Sequence, residues 1–128
     1  MSLRILVADH DMMSCRALAE TLRQAGHDVT PIASGEGAKA HLEKTAFDVV
    51  IADLALPGVL GLELLEFVKE HAPETIFIMI SSDKTGEGEV EALDLGAFEF
   101  MIKPLDPGQL REVVEEAGAQ IALRSKSQ

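Results

Sequence analysis

Residues 48–71 read DVVIADLALPGVLGLELLEFVKEH, and the way this stretch divides decides the fold. Residues 48–52 form a nearly unbroken apolar run without the alternation of a half-solvated strand. Such a run belongs to a strand covered on both faces, as in a parallel sheet flanked by helices. From about residue 60 to 71 the period changes, and Leu64, Leu65 and Val68 fall on one side of a helix. Strand, connection and helix make one βα unit.

The same unit recurs on either side. Residues 3–8 (LRILVA) read as a strand, followed by a helix from 12 to about 25. That helix places Cys15, Leu18, Leu22 and Ala25 on one stripe, and Gly26 stops it. Residues 28–32 form a shorter strand, at an edge because it carries Pro31. Ser34 caps a helix to about residue 44 whose first turn is weakened by Gly35 and Gly37. Residues 75–80 (TIFIMI) are another buried strand, and 84–95 hold a helix whose start is loosened by Gly86 and Gly88. Residues 98–102 are the last strand. Asp106 caps the final helix, with Pro107 at its first position and an inner stripe of Leu110, Val113, Val114, Ala117 and Ile121.

Five βα units predict an α/β, doubly wound (βα)5 domain with a parallel five-stranded sheet. Right-handed crossovers point to the flavodoxin-like order 2-1-3-4-5. The reading assigns residues 1–124 to one domain and 125–128 to a C-terminal tail, frayed from about Arg124.

The ends of the strands carry the polar residues. The first ends in Ala8-Asp9-His10-Asp11, the third in Ala52-Asp53, the fourth in Ile80-Ser81-Ser82 and the fifth in Ile102-Lys103-Pro104. In a parallel sheet these ends share one edge, so two carboxylates, a hydroxyl and a lysine meet there. That set suits phosphoryl transfer onto a carboxylate. A hard, oxygen-seeking cation such as Mg²⁺ neutralises converging carboxylates, while a lysine and a hydroxyl stabilise the remaining phosphoryl charge. One carboxylate is then the nucleophile.

At this point the chain resembles the response-regulator receiver family of two-component signalling, the CheY-like superfamily, over nearly its whole length. ILVADHD is similar to that family's acidic first-strand motif. DVVIADLALPGVLGLELL resembles its phosphoacceptor segment, in which proline follows the aspartate by four residues and glycine by eight; here these are Asp53, Pro57 and Gly61. IMISSD and GAFEFMIKP resemble the fourth- and fifth-strand motifs. The resemblance implies Asp53 as phosphoacceptor, Asp9 as an acidic-pocket residue and Lys103 as the phosphate-contacting lysine. It implies Ser81, with Ser82 the alternative hydroxyl, as the switch residue and Phe100 as the switch aromatic. It also implies a cis bond between Lys103 and Pro104. Ala55 and Asp83, each two residues beyond a site residue, are the positions that tune phosphoryl lifetime. Mg²⁺ is the implied cofactor, with Mn²⁺ as a substitute. The implied partners are a histidine kinase or histidine phosphotransfer protein, and an output domain, target protein or second copy on the face from strand 4 to helix 5.

His10 departs from the pattern, because the family commonly has a second acid there. It reads as a metal ligand, a donor to phosphate or a solvated turn residue, while Asp11 is placed to cap the first helix. Imidazole is a poorer partner than carboxylate for Mg²⁺, so a site weakened by about tenfold, or ~1.4 kcal/mol, is expected. His27, His41 and His71 are scattered and read as surface or helix-end residues.

The 22 acids against 11 bases give a formal charge of −11, which repels nucleic acid and argues against direct contact with it. No apolar run reaches the roughly 18 residues of a membrane span. Cys15, the one cysteine, reads as a packed thiol and fits a reducing, cytoplasmic setting. The chain reads as a switch rather than an enzyme acting on other molecules. Two alternatives have less support. One is a pseudo-receiver that binds partners without phosphorylation, favoured only by His10. The other is an aspartyl phosphatase of haloacid-dehalogenase type, which wants an aspartate where Ala55 stands. Neither GxxxxGK[ST] nor GxGxxG follows the first strand, which argues against nucleotide binding.

Overall fold

The computed structural model describes residues 2–126 as five parallel strands alternating with five helices. In chain order these are β1 (Arg4–Ala8), α1 (Met12–Gln24), β2 (Asp28–Ile32), α2 (Gly35–Lys44), β3 (Val49–Asp53), α3 (Gly61–His71), β4 (Ile76–Ser81), α4 (Glu89–Asp94), β5 (Glu99–Ile102) and α5 (Pro107–Lys126). The sheet order is β2-β1-β3-β4-β5, the doubly wound arrangement that the crossovers predict. β2, with its Pro31, is an edge strand.

Alternation along each strand divides the core into two layers. Val7, Ile51 and Ile78 lie side by side across β1, β3 and β4 and pack with Leu18 and Leu22 of α1 and Leu110 and Val114 of α5. One residue earlier, Leu6, Val50 and Phe77 point to the opposite face, where Ala38 of α2 and Leu64, Leu65 and Val68 of α3 cover them. Burying a large side chain of this kind contributes roughly 1.5–3 kcal/mol, so both layers hold the central strands in place.

Local chemistry starts and stops the helices. Asp11 caps α1 by accepting from the backbone N–H groups of Met13 and Ser14, at 3.1 and 3.3 Å. Ser34 and Asp106 cap α2 and α5 in the same way, accepting from Gly37 and Gln109. Gly35 starts α2 because its Cα lies against the Val59 carbonyl, leaving no room for a Cβ. The glycine that weakens helix propensity is therefore demanded by packing.

Three expectations need correction. The fourth helix does not begin near residue 84. Gly86 and Gly88 take φ values of +74° and +92°, and the Asp83 carboxylate holds the Thr85 N–H and hydroxyl in a turn, so α4 starts at Glu89. Ala25 does not join the inner stripe of α1; it is the exposed C-cap. The last helix does not fray from Arg124 but continues to Lys126, and the Arg124 guanidinium donates to the Glu74 carbonyl at 2.7 Å. Residues 127–128 of the expected tail lie outside the described residues.

Candidate functional site

The carboxyl ends of β1, β3 and β5 meet over the centre of the sheet, where β1 and β3 are neighbours at the topological switch point. Asp9, Asp53 and Lys103 each stand two residues beyond a member of the α1/α5 layer (Val7, Ile51 and Met101), so alternation sends all three side chains to the same side. The Lys103 ammonium lies 2.7 Å from Asp9 Oδ2 and 2.7 Å from Asp53 Oδ2. Both carboxylates are almost wholly buried, at 0% and 3% side-chain exposure, against 15% for the lysine. The remaining oxygens are held by backbone: Asp9 Oδ1 accepts from Asp11 N–H at 3.0 Å, and Asp53 Oδ1 from Ala55 N–H at 2.9 Å.

Burial alone would lower the affinity of Lys103 for its proton. The hydrogen bonds and charges of Asp53 and Asp9 outweigh that penalty and hold the ammonium above its ordinary value of 10.5. One lysine against two acids leaves a net negative charge in a buried setting. Gly61 keeps the loop after β3 tight, since a Cβ there would sit 2.5 Å from the Asp53 carbonyl oxygen and 2.7 Å from Leu54 Cα. The peptide bond between Lys103 and Pro104 is cis, as expected.

The other residues singled out in the sequence take distinct places. Ser81 is buried at the end of β4, and its hydroxyl accepts from Asp83 N–H at 3.1 Å. That contact shapes a turn and does not cap α4, which begins eight residues later. Ser82 is exposed. Phe100 is turned inward, 8% exposed, in the layer that includes Met79 and Ala92. Ala55 and Asp83 are exposed, and burial plays almost no part at Asp83, whose carboxyl is lowered chiefly by hydrogen bonds from Thr85.

His10 is exposed at the rim, and a ring nitrogen and one oxygen each from Asp9 and Asp53 lie within 4.8 Å of one another. Asp11 is occupied as a cap, as expected. The other histidines form no such cluster among the described residues. His41 and His71 pair through Nδ1 with the carbonyls of Gly37 and Phe67 in their own helices, while His27 Nδ1 accepts from Leu3 N–H. Cys15 is buried, and desolvation, followed by the Asp9 charge, pushes its thiol up, which fits a packed and unreactive group.

A cleft of about 640 Å³ opens beside Asp53, Lys103 and His10. Sequence reading missed its apolar wall, built from Ala17 and Leu18 of α1 and Leu105, Pro107 and Leu110 at the start of α5. Lys84 adds a cation at its rim. The available signal was the outward side of the α1 stripe, where Ser14, Ala17 and Thr21 recur at helical spacing.

A doubly wound sheet with two buried carboxylates and a lysine over its switch point defines a receiver-type signalling module. The chain belongs to the response regulator receiver domain family, whose model matches residues 5–115. It is 34% identical over 113 residues to the transcriptional regulatory protein ZraR of Salmonella typhimurium, covering 88% of this chain and 26% of that protein. The response regulator protein PilR of Pseudomonas aeruginosa is 31% identical over 114 residues, covering 89% and 26%. The receiver domain of NtrX from Brucella abortus superposes with a TM-score of 0.84 at 32% identity, covering 88% of this chain and 96% of that one. The chain thus spans about a quarter of the length of the curated relatives it matches.

Receiver domains bind Mg²⁺ at an acidic pocket. The donor set here fits a divalent cation: Asp9 and Asp53 present oxygen ligands, His10 a nitrogen, and Lys103 offsets only one of the two negative charges. No helix of the described residues is long and apolar enough to cross a membrane.

Proposed function

We propose that this domain accepts a phosphoryl group on Asp53 from the phosphohistidine of a histidine kinase or histidine phosphotransfer protein, and that the modification switches its affinity for a partner. The observation that carries the reading is the double bridge of Lys103 to Asp9 and Asp53 at 2.7 Å. It holds the Asp53 carboxyl group against the lining of an open cleft with the Lys103 nitrogen already beside it. In the transfer the donor's N–P bond breaks, an Asp53 O–P bond forms, and the released imidazole takes a proton from solvent. Lys103 stays against the incoming group and offsets its charge. A bound Mg²⁺, held by Asp9 and Asp53 with His10 at the rim, would supply charge neutralisation at the phosphoryl oxygens. Mn²⁺ can replace it.

Ser81 is the switch hydroxyl in this reading. It gives up the Asp83 N–H to reach the phosphate, and Phe100, on the same side of the sheet and already turned inward, needs no inward swing and packs behind it. A tenfold change in partner affinity needs about 1.4 kcal/mol, within reach of one or two charge-assisted hydrogen bonds. The glycine-jointed stretch before α4 suits a moving element. Val90, Leu93 and Leu95 around α4 and Ile102 of β5 are exposed hydrophobics, which supports this face as the seat of an output domain, a target or a second copy. Ala55 has no group to orient water, so any lifetime tuning falls to Asp83. A reducing, cytoplasmic setting fits the buried thiol of Cys15.

Asp53→Asn is expected to abolish labelling by acetyl phosphate, read by intact mass. Labelling that persists in the variant would refute the assignment. A binding module that is never phosphorylated is the competing reading, and failure of the wild type to take up beryllofluoride would support it.

A further inference from the structure

We propose that Asp9, His10 and Asp53 form a mixed nitrogen–oxygen site that favours borderline first-row cations over Mg²⁺ by a margin set by His10, so that metal identity governs how readily the domain is phosphorylated. The inference rests on the phosphoacceptor reading for its consequence and on donor chemistry for its substance.

The turn after β1 is rigid where it needs to be. Asp9 N–H donates to the Ile32 carbonyl at 3.0 Å, and Asp9 Oδ1 holds the Asp11 N–H. Asp11 is in turn anchored as the cap of α1. His10 is therefore gripped from both sides while its ring stays at the exposed rim, with a nitrogen within 4.8 Å of the acidic oxygens. Each carboxylate spends one oxygen on Lys103 and the other on a backbone N–H. Every such oxygen keeps a lone pair for a metal.

Mg²⁺ requires oxygen in a near-octahedral shell and gives up water reluctantly. A charged oxygen at position 10 would serve it, and an imidazole serves it poorly. Zn²⁺ accepts imidazole at least as readily as carboxylate, so it keeps a full-strength donor from the same side chain. Every carboxylate site already ranks Zn²⁺ above Mg²⁺. Nitrogen at position 10 widens that gap, and the widening is the quantity to measure.

The test titrates wild type and His10→Asp with Mg²⁺ and, separately, Zn²⁺ at pH 7.5 by calorimetry, alongside NMR of histidine ring nitrogens. Zn²⁺ should move the His10 ring resonance before those of His27, His41 and His71. His10→Asp should tighten Mg²⁺ and loosen Zn²⁺, so that the ratio of the two affinities falls by about tenfold or more. A smaller fall, or a first response at another histidine, would overturn the inference. His10→Ala, which adds no oxygen donor, keeps the test open if His10→Asp misfolds; it should lose Zn²⁺ affinity about tenfold and leave Mg²⁺ nearly unchanged, and an unchanged Zn²⁺ affinity would overturn the inference. Acetyl phosphate labelling of Asp53 is followed in parallel. Labelling without a selectivity change defeats this inference alone, whereas a selectivity change without labelling under either metal defeats the phosphoacceptor reading and leaves the metal site standing.

Discussion

Replacing Lys103 with methionine keeps most of the stem that packs beside the cleft and removes the cation between two buried carboxylates. Two oxygens that each lie 2.7 Å from the same nitrogen can be no more than about 5.4 Å apart. At that separation, with an effective dielectric near 20, their repulsion is about 3 kcal/mol. Water entering the cleft relieves part of it, so a loss of about 2–3 kcal/mol is expected, or roughly 1–2 M in the urea midpoint. The chain has no Trp and no Tyr, so unfolding is best followed by far-UV circular dichroism, in EDTA. Two companions isolate the cause. Adding Asp53→Asn to Lys103→Met removes one of the repelling charges and should restore much of the loss. Millimolar divalent cation should do the same for Lys103→Met and less for wild type. The pH dependence follows from the raised ammonium: the bridge contributes fully below the unfolded value of 10.5 and is lost as pH rises through the higher folded value. The gap between wild type and Lys103→Met should therefore persist to about pH 10.5 and close above it. A Lys103→Met variant as stable as wild type, or one that Asp53→Asn does not rescue, would refute the charge argument.

Two further substitutions probe the frame around the site. Gly61→Ala forces a methyl against the Asp53 carbonyl and Leu54 Cα, both backbone, and is expected to cost about 1–3 kcal/mol in urea unfolding while weakening divalent-cation binding; unchanged stability would show that the loop yields. His27, partly buried with Nδ1 accepting from Leu3 N–H, is lowered from 6.5 chiefly by desolvation. The unfolded chain then binds the extra proton first, so wild type should lose stability as pH falls below about 6.5. His27→Gln should flatten that part of the curve, read as urea midpoints between about pH 5 and 7.5; an unaltered slope would assign it elsewhere.

The fold was legible because its signals are periodic and repeated. Near-continuous apolar strands, helical stripes and five alternations leave few topologies once crossover handedness is applied. The misses sit where one local contact overrides a pattern. Gly86 and Gly88 adopt positive φ and unwind the expected first turn of α4, which a propensity sum treats only as a weakening. Arg124 finds a carbonyl across a loop, a pairing 50 residues away in sequence that no local rule anticipates. Gly35 looked like a poor helix start and proves to be a point of close approach to Val59.

The site was legible for a different reason. Side-chain direction along a strand has a period of two, so two-residue offsets from buried positions place Asp9, Asp53 and Lys103 on one side before any coordinate is known. Alternation also assigns Ser81 and Phe100 to the opposite layer, through the pairing of Met79 with Phe100 and of Ser81 with Ile102. A group on Asp53 can therefore affect the α4 side only around the end of β4, and Ser81 stands at that end. Under the proposed phosphorylation, the separation would make Ser81 the coupling point between chemistry on one face and partner binding on the other. Alternation could not show that Lys103 serves both acids at once. That sharing leaves one lysine against two acids, and under the proposed function the unmet negative charge would give the identity of the cation, and hence His10, its leverage over the switch.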